Sequence, residues 1–242
     1  DDVIVGGYYY DNGQADEGRA LVLHGSATGL SASENWMVEI NQTNANFGSG
    51  VCGAGDVNAD GYDDVIVGAR WYDNGQTDEG AAFLYYGTAS GLQSSVGYTW
   101  EPNQVNAWMG EGVCAAGDVN GDGYADLLLP AYGYDNGEAD EGRAWVLYGS
   151  ANGPGMRTDW FAEGNQTSGR FGSDAQPAGD VNGDGYDDVI VGAIMFDNGQ
   201  ADEGRAFVYF GAPTGLATTP GWTVESNQAT AMLNAVNGIG DA

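Results

Sequence analysis

Asp56-Val57-Asn58-Ala59-Asp60-Gly61-Tyr62-Asp63-Asp64 recurs as Asp118-Val119-Asn120-Gly121-Asp122-Gly123-Tyr124-Ala125-Asp126 and as Asp180-Val181-Asn182-Gly183-Asp184-Gly185-Tyr186-Asp187-Asp188, at a constant offset of 62 residues. Side-chain oxygens at positions 1, 3 and 5, a glycine at 6, a backbone carbonyl at 7 and a closing carboxylate suit a hard cation such as Ca²⁺, which takes six to eight oxygen ligands. The predicted ligands are Asp56, Asn58, Asp60, Tyr62 through its carbonyl, and Asp64, with Asp118, Asn120, Asp122, Tyr124 and Asp126, and Asp180, Asn182, Asp184, Tyr186 and Asp188. An EF-hand loop would need glutamate at position 12, where Val67, Leu129 and Val191 stand. Position 9 closes the loop instead. Position 8 is Asp63 and Asp187 but Ala125 in the other copy, so the repeats exclude it from the ligand set. The competing reading is a metal-free Asp/Asn/Gly turn, against which stand three copies at fixed offsets and the mutual repulsion of clustered carboxylates.

Apolar runs follow each loop at once (Val65 to Val67, Leu127 to Leu129, Val189 to Val191), and runs so short, bounded by glycine, read as buried strands. The loop therefore joins two strands. Each 62-residue unit accommodates four: Phe47 to Ala54, Asp64 to Ala69, Ala81 to Tyr86, and one near Tyr98 to Glu101, with a hairpin at Asp73-Asn74-Gly75 and a turn at Gly87 to Gly91. A period of tens of residues marks a repeat architecture, and four strands repeated radially form a blade of a β-propeller. The predicted class is all-β, with almost no α-helix. The 42 glycines fall at recurring turn positions such as Gly13, Gly75, Gly137 and Gly199.

Phe47-Gly48, the run from Gly55 through Asp64, and Val67-Gly68-Ala69 resemble the FG-GAP repeat of integrin α-subunit propellers and bacterial surface proteins, and Phe171-Gly172 through Ala193 repeats the pattern. The proline of the GAP element is absent (Arg70, Tyr132 and Ile194 stand there, with Pro130 just before Ala131), and Met109-Gly110 replaces Phe-Gly in one copy. The resemblance implies calcium in the hairpin between the first and second strands of a blade, an extracellular or cell-surface setting, and an adhesive role.

Asp1-Asp2-Val3-Ile4-Val5-Gly6 looks like the tail of a metal loop and Gly240-Asp241-Ala242 like the head of one, so Asp241 and Asp2 would contribute to a fourth site. The expected arrangement is one propeller over residues 1–242 with four blades (229–242 plus 1–43; 44–105; 106–167; 168–228), closed by pairing the first and last strands, which removes exposed edges. The rival is an excerpt of a larger ring.

Thirty-five acidic residues face six arginines and no lysine, a formal charge of −29. Such a surface disfavours nucleic acid and anionic membranes, and no apolar run reaches the ~20 residues needed to span a bilayer. A second acidic element, Asp11-Asn12-Gly13-Gln14-Ala15-Asp16-Glu17-Gly18, recurs at 73–80, 135–142 and 197–204. Asn-Gly is a hairpin signal, so its carboxylates are expected to bond nearby backbone N–H groups, the alternative being a second cation site. Cys52 and Cys114 lie 62 residues apart on adjacent inner strands and read either as a disulfide between blades or as two buried thiols. Trp36, Tyr98, Trp160 and Trp222 share one position, as do Tyr10, Tyr72, Tyr134 and Phe196; they read as packing between blades. Asn41 and Asn165 fit N-glycosylation sequons, yet Asn-Gln also stands at 103–104 and 227–228 without one, which makes the pair structural. The lone His24 replaces a packing aromatic, and no nucleophile motif appears, so the reading is non-catalytic. A structural or adhesive module with a protein or glycan ligand is expected, with a lectin-like propeller or a subunit of a self-assembling surface filament as alternatives.

Overall fold

The computed structural model describes residues 1–155 and 159–239. Among them there is no helix and none that is long and apolar enough to cross a membrane. Seventeen strands follow one another: β1 (Val3–Gly7), β2 (Arg19–Leu23), β3 (Gly25–Ser26), β4 (Gly29–Leu30), β5 (Trp36–Glu39), β6 (Phe47–Gly55), β7 (Asp64–Ala69), β8 (Ala81–Tyr85), β9 (Tyr98–Trp100), β10 (Cys114–Gly117), β11 (Asp126–Ala131), β12 (Arg143–Leu147), β13 (Trp160–Glu163), β14 (Phe171–Gly179), β15 (Asp188–Ala193), β16 (Arg205–Tyr209) and β17 (Trp222–Glu225). They form the antiparallel sheets β1-β2-β5, β6-β7-β8-β9, β10-β11-β12-β13 and β14-β15-β16-β17, each a blade-like meander, plus the small β3-β4 ribbon.

The register repeats with the sequence: Val65↔Tyr85, Leu127↔Leu147 and Val189↔Tyr209 pair at equivalent places. In the second to fourth sheets the two middle strands are buried on both faces over nearly their whole length, which explains their unbroken apolar runs. The third sheet departs from its neighbours. Its inner strand starts only at Cys114, whereas β6 and β14 start at Phe47 and Phe171. Pro130, facing that missing stretch, has no amide to lend to a ladder.

The core lies between sheets. One cluster joins Val22, Trp36 and Val38 of the first sheet to Phe47, Val67 and Phe83 of the second; a second joins Ile66 and Leu84 to Leu129 and Trp145; a third joins Val146 and Trp160 to Phe171, Val191 and Tyr209. The recurring aromatics sit in these layers, with Trp36 edge-on to Tyr85 at 5.1 Å and Trp160 edge-on to Tyr209 at 4.9 Å between ring centres.

Among the described residues the expected pairing of the chain ends is not formed. The first sheet has three strands, and β1 pairs with β2 alone. Residues 229–239 begin like an inner strand, since Leu233 N–H reaches the Glu203 carbonyl at 3.1 Å just as Phe47 reaches Glu17 at 3.0 Å. They form no strand and no ladder to β1. Cys52 and Cys114 are free thiols, so the bridge between blades is likewise not formed. Burial pushes the Cys114 thiol well up, with Cys52 and Asp174 adding to the rise.

Candidate metal centre

Each acidic loop joins the inner strand of a sheet to the second strand: Asp56 to Asp64 between β6 and β7, Asp118 to Asp126 between β10 and β11, and Asp180 to Asp188 between β14 and β15. The first residue organises the turn. Asp56 Oδ1 accepts the Asp60 N–H at 3.0 Å and Oδ2 the Gly61 N–H at 2.8 Å; Asp118 and Asp180 make the same contacts with Asp122 and Gly123, and with Asp184 and Gly185. These donors hold the Asp180 carboxyl below the usual carboxylate range, the Gly185 N–H contributing most. Asn58, Asn120 and Asn182 accept the N–H of position 5, and position 5 accepts the N–H of the tyrosine at 7. Only a left-handed backbone closes so tight a turn at position 6, where Gly61, Gly123 and Gly185 have φ of 92°, 89° and 94°.

The closing aspartate is different. Asp64, Asp126 and Asp188 are fully buried, each with both oxygens engaged: Asp64 accepts the Val57 N–H at 3.0 Å and the Gly87 N–H at 2.8 Å, Asp126 those of Val119 and Gly149, and Asp188 those of Val181 and Gly211. One carboxylate thus ties the metal loop to the end of the third strand. Burial lifts the Asp64 carboxyl to about 6 and Asp126 to about 7, and it also raises Asp188. The two N–H donors oppose that rise, while the carboxylates at positions 5 and 1 add to it. Three carboxylates therefore act on one another in each loop.

This donor set fits calcium: carboxylate, amide and carbonyl oxygens only, without nitrogen or sulfur, around a buried carboxylate whose charge burial disfavours. Among the described residues no three acidic, histidine or cysteine side chains draw together as closely as a filled site would hold them. Position 8 has another task. Asp187 Oδ2 accepts the Asp118 N–H of the preceding loop at 2.8 Å. Asp2 repeats the position-9 contact, accepting the Gly25 N–H at 2.9 Å beside His24. Asp241 lies outside the described residues.

The loops also touch. Ala125 N–H donates to the Asp56 carbonyl at 3.1 Å and Asp187 N–H to that of Asp118 at 3.3 Å, so the first ligand residue of one loop is held by the next. Sequence reasoning missed this, because it depends on how sheets stack.

The second acidic element forms the hairpins between second and third strands, at the opposite rim. Its first aspartate accepts the N–H five residues on (Asp78 to Asp73 at 2.6 Å), and its glutamate accepts that of the Asn (Asn74 to Glu79 at 2.8 Å). Glu17, Glu79, Glu141 and Glu203 are buried, each with Oε2 unpartnered, and burial raises the Glu79 and Glu141 carboxyls. Asn41 and Asn165 are exposed at the ends of fourth strands.

The FG-GAP repeat model matches residues 47–85, 109–147 and 171–209, each span running from an inner strand through its acidic loop to a third strand. Integrin alpha-PS2 of Drosophila melanogaster is 37% identical over 134 residues, covering 52% of this chain and 9% of that protein. Integrin alpha-5 of Xenopus laevis is 26% identical over 227 residues, covering 90% and 20%. Phosphatidylinositol-glycan-specific phospholipase D of Mus musculus is 37% identical over 120 residues, covering 46% and 14%. The chain thus spans only a tenth to a fifth of these relatives' lengths. Among solved structures, rhamnogalacturonan lyase YesW is similar at a TM-score of 0.47 and 14% identity, over 92% of this chain and 45% of that one.

Proposed function

We propose that this protein, whose chain carries three FG-GAP repeats, is a calcium-stabilised extracellular module that presents a rigid array of blades for adhesion and performs no catalysis. The observation that carries this reading is the buried closing aspartate of each loop. Its oxygens fix the loop to the third strand, while burial, and after it the neighbouring carboxylates at positions 5 and 1, raises the cost of its charge. A divalent cation bound by Asp56, Asn58, Asp60, the Tyr62 carbonyl and Asp64, and by their equivalents, would neutralise that repulsion and lock the first two strands of the blade. The integrin relatives support adhesion and a cell-surface setting. The repeating carboxylates at loop positions 1, 5 and 9 are engaged by backbone N–H groups of their own turns, which supports a non-catalytic role despite the phospholipase D relative.

Calorimetric titration of the chelator-treated chain tests the metal. Uptake of one Ca²⁺ per intact loop, with affinities of about 10⁻⁴ to 10⁻³ M typical of extracellular modules, is expected, and no uptake at millimolar Ca²⁺ would sink the reading. Retention on immobilised cell-surface proteins, lost on adding chelator, tests adhesion; retention on glycans alone would favour the lectin-like alternative.

A further inference from the structure

Successive sheets are joined at both rims by contacts that repeat with the chain. At the hairpin rim the glutamine of an Asn-Gln pair clasps the next hairpin with both ends of its amide. Gln42 donates to the Asp73 carbonyl and accepts the Asp73 N–H, as Gln104 does with Asp135 and Gln166 with Asp197. Between the rims, Trp36 Nε1 donates to the Gln93 carbonyl of the next sheet at 2.9 Å. At the opposite rim the contacts run through the acidic loops themselves, and there they connect one closing carboxylate to the next.

Each connection passes through the residue at loop position 2, which lies between the predicted ligands at positions 1 and 3. The Val119 N–H is held by Asp126 of its own loop at 3.0 Å. Its carbonyl accepts the Ala212 N–H at 3.1 Å, and the preceding Gly211 donates to Asp188 of the next loop at 2.8 Å. Val57 stands in the same way between Asp64, at 3.0 Å, and the Ser150 N–H, at 3.1 Å. Beside Ser150, Gly149 donates to Asp126 at 2.9 Å. Asp188, Asp126 and Asp64 thus lie on one chain of hydrogen bonds, whose two links, Val57 and Val119, are fully buried. There is little slack in it: a Cβ added at Gly149 or Gly211 would stand 2.7 Å from the Val57 or Val119 carbonyl oxygen.

A second connection joins position 8 of one loop to position 1 of the loop before it, and here the copies differ. Asp187 grips Asp118 twice, its N–H on the Asp118 carbonyl at 3.3 Å and its Oδ2 on the Asp118 N–H at 2.8 Å. Gly117 makes room for that carboxylate, since a Cβ there would collide with it. Ala125 gives Asp56 only its N–H, at 3.1 Å, because its side chain is a methyl group.

We infer that the loops take up calcium cooperatively, and that Asp187 makes the coupling between the loops 118–126 and 180–188 stronger than that between 56–64 and 118–126. The inference rests on the calcium reading above. Once Asp188 is fixed by a ligand, the turn at Gly211 is fixed too, and with it Val119 between Asp118 and Asn120. The preceding loop then loses less conformational freedom when it binds. Coupling of this kind is reciprocal, so loss of either site weakens the other by the same factor.

Calcium titration of the isotope-labelled chain is the test, with the backbone amide signals of Gly61, Gly123 and Gly185 reporting the three loops separately. The native chain sets the reference affinities. Asp184→Ala, at an exposed position, should abolish binding at its own loop and weaken the 118–126 loop about fivefold, and Asp122→Ala should weaken the 180–188 loop by the same factor. Asp187→Ala keeps every predicted ligand and should reduce that factor to the smaller one that links the loops 56–64 and 118–126. Ala125→Asp should raise the smaller one. A cooperative melt in chelator shows that each variant is folded. An Asp184→Ala chain whose 118–126 loop keeps its native affinity overturns the inference, as does a coupling factor that Asp187→Ala leaves unchanged; both results leave the calcium reading intact. No response at any loop at millimolar Ca²⁺ overturns the two together.

Discussion

The two acidic loops of each repeat have similar composition and opposite fates. In the metal loop the buried carboxylate, Asp126 for example, has both oxygens on backbone N–H groups and still faces two more carboxylates. In the hairpin the buried Glu141 has one oxygen on the Asn136 N–H and the other without a partner. The first arrangement sets three carboxylates acting on one another within one loop, which a cation would relieve on the reading proposed above. The second buries a carboxyl that burial, with a smaller contribution from Glu163, pushes toward its neutral form. Acid content alone therefore does not make the two loops alike; how their carboxylates are partnered does.

The most damaging way to break this contrast is Asp126→Ala, which strands two buried donors. A loss of about 2–4 kcal/mol in chemical denaturation is expected even in chelator, together with one fewer Ca²⁺ in calorimetry. Removing calcium from the native chain should come next. Stabilisation by mass action at a few times the dissociation constant is about 1 kcal/mol per site, so three loops together should lower the melting temperature visibly when chelator is added. An unchanged melting curve would equate the two loops. Glu141→Gln should cost less than about 1 kcal/mol and leave calcium stoichiometry unchanged, because the amide oxygen still accepts the Asn136 N–H and a buried charge is gone.

The pH dependence sharpens the same point. Asp64, Asp126 and Asp188 titrate above their unfolded values in the cation-free chain, so the folded state holds protons that the unfolded chain has released. Their stabilising contribution is complete below about pH 4 and is lost as pH rises through about 6 and 7. Melting in chelator should accordingly fall between pH 5 and 8, and millimolar Ca²⁺ should reverse the fall; a flat profile would remove the argument that burial, with the neighbouring carboxylates adding to it, disfavours the charge of these aspartates. A comparably small effect belongs to Asp187→Ala. It releases the Asp118 N–H, should cost roughly 1 kcal/mol, and should bind as many ions as the parent.

Much of this was legible in the chain. The second strand reads Asp64 to Ala69 from its apolar run, and β7 has those bounds; the predicted third strand ends at Tyr86 and the observed one at Tyr85. Local rules suffice there, because alternation, turn glycines and ligand spacing act within a few residues. The Asn-Gln pairs were recognisable as structural, but not as clasps, since their partner lies 31 residues away on another sheet. The hairpin glutamates gave no sign of complete burial, for the same residue type solvates most surfaces.

By itself the sequence determined the period, the strand order and the place of each acidic loop between two strands, because these follow from residue type and spacing along one stretch of chain. Only the tertiary structure decided that Val57 and Val119 are buried while Val181 is bare, and that Trp36 finds an acceptor while Trp222 finds none. Identical residues in identical repeats differ there because burial depends on what packs against a surface, and among the described residues no sheet packs on Val181 and Trp222.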